Sequence, residues 1–232
     1  MRLIAALFLM LATLATSNLA QAEPYMDAAS INPELLTPPP APHSAPWKAD
    51  IDKIIALQKS PDQAAVAQAA AELVMAPELV TLAVHPALTR ADYPAVYQLL
   101  DNVAYTSKSI NGTAKDFWHT KRPYQSDSRV KALIFAHDNP AYPSGHTTGS
   151  YVWAYVLSEL LPQKRSLFMQ RAEAIAQHRV LVGMHYPHDL AGGKELALLI
   201  MGGLLQNTAF QQDLELAKKE LAAKPLSPAD KL

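Results

Sequence analysis

Lys115, Arg122 and Arg179 supply three cations to a chain that also carries His146, His185 and Asp189, residue types that together could bind a phosphate group and move protons around it. A phosphomonoester is a dianion near neutral pH, and its transition state spreads charge over three equatorial oxygens. Two arginines can each offer a planar fork to such oxygens, and a lysine adds a compact charge. Ser144 and Gly145 precede a helical pattern, so their backbone N–H groups could cradle an anion, with Ser144 also able to act as a plain N-cap. A rival chemistry uses His119, His146, His185, His188 and Asp189 as metal ligands. Spacing argues against it: Pro187 separates His185 from His188, and no His-Glu-x-x-His segment exists. Taken singly, each of these residues is ordinary, since surface cations, structural histidines and Pro-Ser-Gly turns are common.

The elements that must hold these residues read as helices. Ile51, Ile54 and Ile55 share one helical face, and Ser60-Pro61 reads as a cap followed by a proline at the first helical position of an Ala-rich run to Met75. Val96, Leu99, Leu100 and Val103 repeat the helical spacing. Tyr151 to Leu161, Leu167 to Val182 and Leu190 to Leu205 predict three more helices, and the tail from Phe210 to Ala223 is charged and amphipathic. Strand alternation is hard to find, so the expected fold is all-α, a single-domain helical bundle over residues 49–232. Leu196 to Leu205 is apolar but too short to span a bilayer, which takes about 20 residues.

Arg2, the apolar Leu3 to Ala15 and the small-x-small site Ala20-Gln21-Ala22 predict a signal peptide over residues 1–22, cleaved after Ala22, and a periplasmic or secreted protein with no membrane attachment after cleavage. A Pro-rich arm, residues 23–48, follows, with Pro38-Pro39-Pro40 favouring extended backbone. The chain has no cysteine, which excludes disulfides, thiolate metal sites and cysteine nucleophiles. A formal net charge of -1 without basic runs argues against nucleic acid as a partner. Oligomeric state stays open, and a homo-oligomer is compatible with the sequence.

Three segments then fall into one order: Lys115, six residues, Arg122-Pro123; Pro143-Ser144-Gly145-His146; and Arg179, five residues, His185, three residues, Asp189. This order resembles the type 2 phosphatidic acid phosphatase superfamily, which includes the bacterial class A nonspecific acid phosphatases and the vanadium haloperoxidases. His178 departs from the pattern, standing where the family often has serine. With a signal peptide and this size, the chain looks most like the class A acid phosphatases.

The resemblance implies hydrolysis of small-molecule phosphate monoesters, with no metal or other cofactor. His185 would attack phosphorus, Asp189 would orient it, and His146 would protonate the leaving group and later activate water. Lys115, Arg122, Ser144, Gly145 and Arg179 would bind the phosphate. A carboxylate on one imidazole nitrogen fixes the tautomer that leaves the other free to attack. His188 is a rival nucleophile, disfavoured by its spacing from Arg179. The alternatives inside the superfamily are a vanadium-dependent haloperoxidase and a lipid or pyrophosphate phosphatase. Outside it, the alternative is a helical binding module that keeps the phosphate cage without turnover.

Overall fold

The computed structural model describes residues 22–136 and 138–226, so the signal-peptide segment lies almost wholly outside the described residues. The described chain is all-α, with no strand among the described residues. Its helices are α1 (Ala45–Gln58), α2 (Gln63–Ala71), α3 (Glu78–Val84), α4 (Pro94–Trp118), α5 (Pro123–Ser126), α6 (Gly145–Leu160), α7 (Arg165–Leu181), α8 (Pro187–Leu204) and α9 (Thr208–Ala223).

Helix α6 occupies the centre, and its sequence explains why. Val152, Trp153, Ala154, Val156 and Leu157 are buried around its circumference, and no charged residue occurs before Glu159. A helix apolar on all sides is stable only when surrounded. It packs against α4, α7, α8 and α9. The partners are amphipathic. Helix α4 buries Val96, Leu99, Leu100, Val103, Ile110 and Ala114, spacings of three, four and seven that keep one stripe inward. Helices α8 and α9 bring Leu196, Ile200, Leu204, Phe210 and Leu214 into the same core.

Two local readings of the sequence need correction. The cap of α2 is Asp62, not Ser60: its Oδ1 accepts from Ala64 N at 2.9 Å and Ala65 N at 3.4 Å. A carboxylate interacts more favourably than a hydroxyl with the positive end of the helix. The Ala-rich helix also ends at Ala71, before Met75: Glu72 leaves helical geometry (φ -87°, ψ 7°) and its N–H donates to Gln68 O at 3.0 Å.

The Pro-rich segment is laid against the helical body. Leu36 is buried, Tyr142 Oη donates to Thr37 O at 2.6 Å, and Thr37 N and Oγ1 donate to Glu195 at 2.8 and 2.9 Å. Those contacts bridge α8 and the loop that leads into α6, next to the phosphate-binding candidates.

Candidate active site

The turn between α7 and α8 is built to present His185. Gly183 has φ +75°, a left-handed conformation that costs glycine little, and a Cβ there would lie 2.3 Å from Lys131 O. Its N–H donates to Val180 O at 3.0 Å while Met184 N donates to Arg179 O at 3.0 Å, the two bonds of a Schellman end to α7. His185 N also donates to Arg179 O, at 3.2 Å. The chain then re-enters a helix at Pro187, the first position of α8, where a missing N–H costs nothing. Asp189 therefore falls in the first turn of α8, accepting from Tyr186 N at 2.9 Å, and turns its Oδ2 to His185 Nδ1 at 3.0 Å.

A carboxylate oxygen accepts only, so His185 Nδ1 carries the proton and Nε2 holds the lone pair. Arg122 Nη1 approaches that Nε2 at 3.2 Å. Burial, then Arg122, Lys115, His146 and Arg179, hold the His185 imidazole well below its ordinary range, which favours the neutral ring. Asp189 is fully buried, and burial raises its carboxyl above the usual carboxylate range, against His188, the Tyr186 N–H, Lys115 and Arg122.

The three cations are fixed by backbone carbonyls as much as by acids. Helix α4 ends at His119, whose left-handed backbone (φ 48°) closes on Lys115 O at 3.0 Å, so Lys115 lies in the last turn. Its ammonium donates to Pro140 O and to Ala141 O, the latter at 2.9 Å, and one N–H of the three remains. Burial, reinforced by Arg122, lowers the Lys115 pKa below the usual lysine value. Arg122 donates from Nε to Asn139 O at 3.0 Å, from Nη2 to Asn139 Oδ1 at 2.7 Å and from Nη1 to Met184 O at 2.9 Å. Arg179 donates from Nη2 to Ala69 O at 2.7 Å and Glu72 Oε2 at 2.9 Å. Its Nε is buried with no hydrogen-bond partner among the described residues, a donor suited to an anion.

The Pro-Ser-Gly-His segment closes the site. Ser144 caps α6, accepting on Oγ from Thr147 N at 3.3 Å, while its own N–H donates to Asp189 O at 3.0 Å and ties this segment to the turn that carries His185. Gly145 is the first residue of α6, and a Cβ there would meet Asn111 Oδ1 at 3.1 Å. His146 Nε2 faces Glu72 O at 2.9 Å. A carbonyl only accepts, so His146 Nε2 carries a proton and donates it to Glu72 O.

Every site residue named from the sequence thus lies in one contiguous arrangement. His119 and His188 lie outside the cation cage: His119 ends α4, and His188 Nδ1 meets Asp50 Oδ2 at 2.6 Å. Among the described residues, no group of three or more His, Cys, Asp or Glu side chains is arranged to hold a metal ion. Sequence reasoning missed Glu72. This buried carboxylate also meets Arg171 Nη2 at 2.9 Å and His178 Nδ1 at 3.0 Å, so the histidine that replaces the family's serine serves as one of its three cationic or hydrogen-bonding partners. Asn111 and Asn139 were missed as well, since neither amide stands in a segment with a recognisable spacing.

The all-α scaffold thus brings together a buried cage of three cations, a carboxylate-held histidine and a second histidine at a helix N-terminus. Residues 99–212 match the PAP2 superfamily, and they constitute a PAP2 superfamily domain of this chain. The chain is similar to an acid phosphatase of Zymomonas mobilis, 31% identical over 135 residues that make up 56% of this chain and 51% of that protein. It is also similar to a non-specific acid phosphatase of Providencia stuartii, 29% identical over 140 residues, 58% of this chain and 56% of that one. The chain spans about half the length of the curated relatives it matches. Among solved structures, a bacterial vanadium-dependent iodoperoxidase shares the fold, with a TM-score of 0.56 and 17% identity over 72% of this chain and 52% of that one.

Proposed function

We propose that this protein is an exported acid phosphatase that hydrolyses a broad range of phosphate monoesters through a phosphohistidine at His185. The observation that carries the reading is the His185 Nδ1 to Asp189 Oδ2 hydrogen bond at 3.0 Å, with Nε2 directed toward Arg122. That geometry leaves an in-plane lone pair on the side of the cations. The similarity to named acid phosphatases supports the same reading.

The ester phosphate would bind between Lys115, Arg122, Arg179 and the N–H groups at the start of α6. His185 Nε2 forms a bond to phosphorus as the ester P–O bond breaks, and the departing oxygen takes a proton from His146, which acts as the imidazolium and becomes neutral. His185 becomes cationic at that moment, and Asp189 stabilises the charge. Water then attacks phosphorus, the P–N bond breaks, and His146 takes the proton that water gives up. Acid–base help of this type contributes about 10²–10⁴ in rate.

The Ala20-Gln21-Ala22 site supports export; among the described residues no helix is long and apolar enough to cross a membrane. Turnover of a chromogenic aryl phosphate, inhibited by orthovanadate and insensitive to chelators, tests the reading. Vanadate adopts the trigonal-bipyramidal geometry of in-line displacement, so a site complementary to that state binds it tightly. Turnover abolished by a chelator and restored by a divalent cation would contradict it.

A further inference from the structure

The proposed mechanism uses one oxygen of Asp189 and leaves the other unexplained. Oδ2 serves His185 and the Tyr186 N–H, whereas Oδ1 is buried without a hydrogen bond among the described residues. An oxygen in that position costs free energy unless a positive charge lies close. His188 Nε2 lies 3.4 Å from it, a charge-pair distance. The opposite ring nitrogen of His188, Nδ1, meets Asp50 Oδ2 at 2.6 Å, and the same Asp50 oxygen accepts from His188 N at 3.2 Å.

Two carboxylates flank the His188 ring. Both ring nitrogens face carboxylate oxygens, which only accept, so both contacts are favourable together only in the doubly protonated ring. The Tyr186 ring stacks on it, with centroids 4.8 Å apart and an interplanar angle of 13°, and the Tyr142 ring lies at 6.3 Å. His43, His119 and Lys121 line the cleft that His188 also lines. The two acids that touch the ring come from different helices, Asp50 from α1 and Asp189 from α8 itself.

The geometry points to His188 and Asp50 as positioning residues: a charged imidazolium, oriented by Asp50 from α1, faces the second oxygen of Asp189 and keeps that residue a carboxylate, so that His185 holds its proton on Nδ1 and its lone pair on Nε2. The four groups form one chain, Asp50, His188, Asp189, His185, in which only the last touches substrate. The inference rests on the reading of His185 as nucleophile. Burial pulls Asp189 toward the neutral acid, and His188 is the largest of the influences that oppose it. A protonated Asp189 would compete for the wrong tautomer of His185, and the attack would fail.

The test compares wild type with His188→Asn and with Asp50→Asn, read in two ways. The first follows the Asp189 carboxyl carbon by ¹³C NMR against pH, which needs no turnover. Removing a cation within a few ångströms should move the Asp189 midpoint up by about one pH unit in His188→Asn. Asp50→Asn should move it in the same direction by less, because the ring keeps its place beside Asp189 but loses its anchor. The second reading is the pH profile of kcat/KM with an aryl phosphate. Its acidic limb should move up by the same amount, giving roughly tenfold slower turnover below the limb and less than about twofold above it. An Asp189 midpoint unchanged in both variants overturns the inference, and so does a rate loss equal at every pH, which would describe a merely structural role. Absence of phosphatase activity in the wild type would instead contradict the proposed function, and the NMR titration would still decide the role of His188.

Discussion

Glu72 Oε2 and Arg179 Nη2 meet at 2.9 Å in the interior, and the Glu72 main-chain oxygen holds His146 Nε2 at the same distance. One residue at the end of α2 therefore orients two members of the site, one through its side chain and one through its backbone.

That arrangement makes Glu72 a stability determinant with a definite pH signature. Burial raises its carboxyl, but His178, Arg171 and Arg179 outweigh burial and hold it below the usual glutamate range. Breaking a buried pair by removing one partner typically costs about 3–5 kcal/mol, so Glu72→Gln should lower the unfolding free energy by about that much at neutral pH. Because the folded-state value is depressed, the contribution is fully present above the unfolded value of about 4.3 and is lost as pH falls through the lower folded value. Urea unfolding at several pH values should show the wild-type advantage shrinking below about pH 4. An advantage that stays constant into that range would mean that shape, not charge, is what Glu72 supplies.

Lys115 should set the basic side of the activity profile. Burial and Arg122 lower its pKa, so in the free enzyme one of the three cage charges is lost below the range where lysines usually titrate. The basic limb of kcat/KM should therefore lie lower than that of kcat, because a bound phosphate dianion favours the ammonium. Lys115→Met should reduce kcat/KM on the order of 10²-fold, the size seen when one preorganised transition-state donor is removed. Lys115→Arg stays charged and should push the limb upward even where activity is reduced. A limb unmoved by Lys115→Arg would assign it to another group.

Leaving-group dependence isolates His146. Aryl phosphates need little protonation, so His146→Ala should slow the single-turnover phosphorylation step much less for an aryl than for an alkyl ester. Loss of the water-activating base can still make the second step slow, so burst amplitudes must be measured beside steady-state rates. Equal loss of the first step for both esters would leave His146 with a binding role only.

How far the site could be read from the chain depended on distance along it. Lys115 with Arg122, Ser144 with Gly145 and His146, and Arg179 with His185 and Asp189 are each held by local backbone, namely a helix C-terminus, a helix N-terminus and a Schellman turn followed by Pro187. Local geometry leaves a spacing, and a spacing can be recognised. Glu72 meets Arg179 across 107 positions, Asp50 meets His188 across 138, and Asn139 meets Arg122 through a loop, so no spacing marks them. The helices were legible for a similar reason, since an inward stripe on α4 or an all-round apolar α6 is written in periodicity. The start of α2 was not, because Ser60 and Asp62 both cap well and only the fold selects between them.

Most direct is the covalent intermediate. Rapid quenching of wild-type enzyme with a ³²P-labelled aryl phosphate, followed by alkaline digestion and peptide mapping, should place one acid-labile, alkali-stable phosphate on His185, and His185→Ala should give none while keeping some affinity for inorganic phosphate through Lys115, Arg122 and Arg179. Label recovered on His188, or full turnover in His185→Ala, would contradict the account.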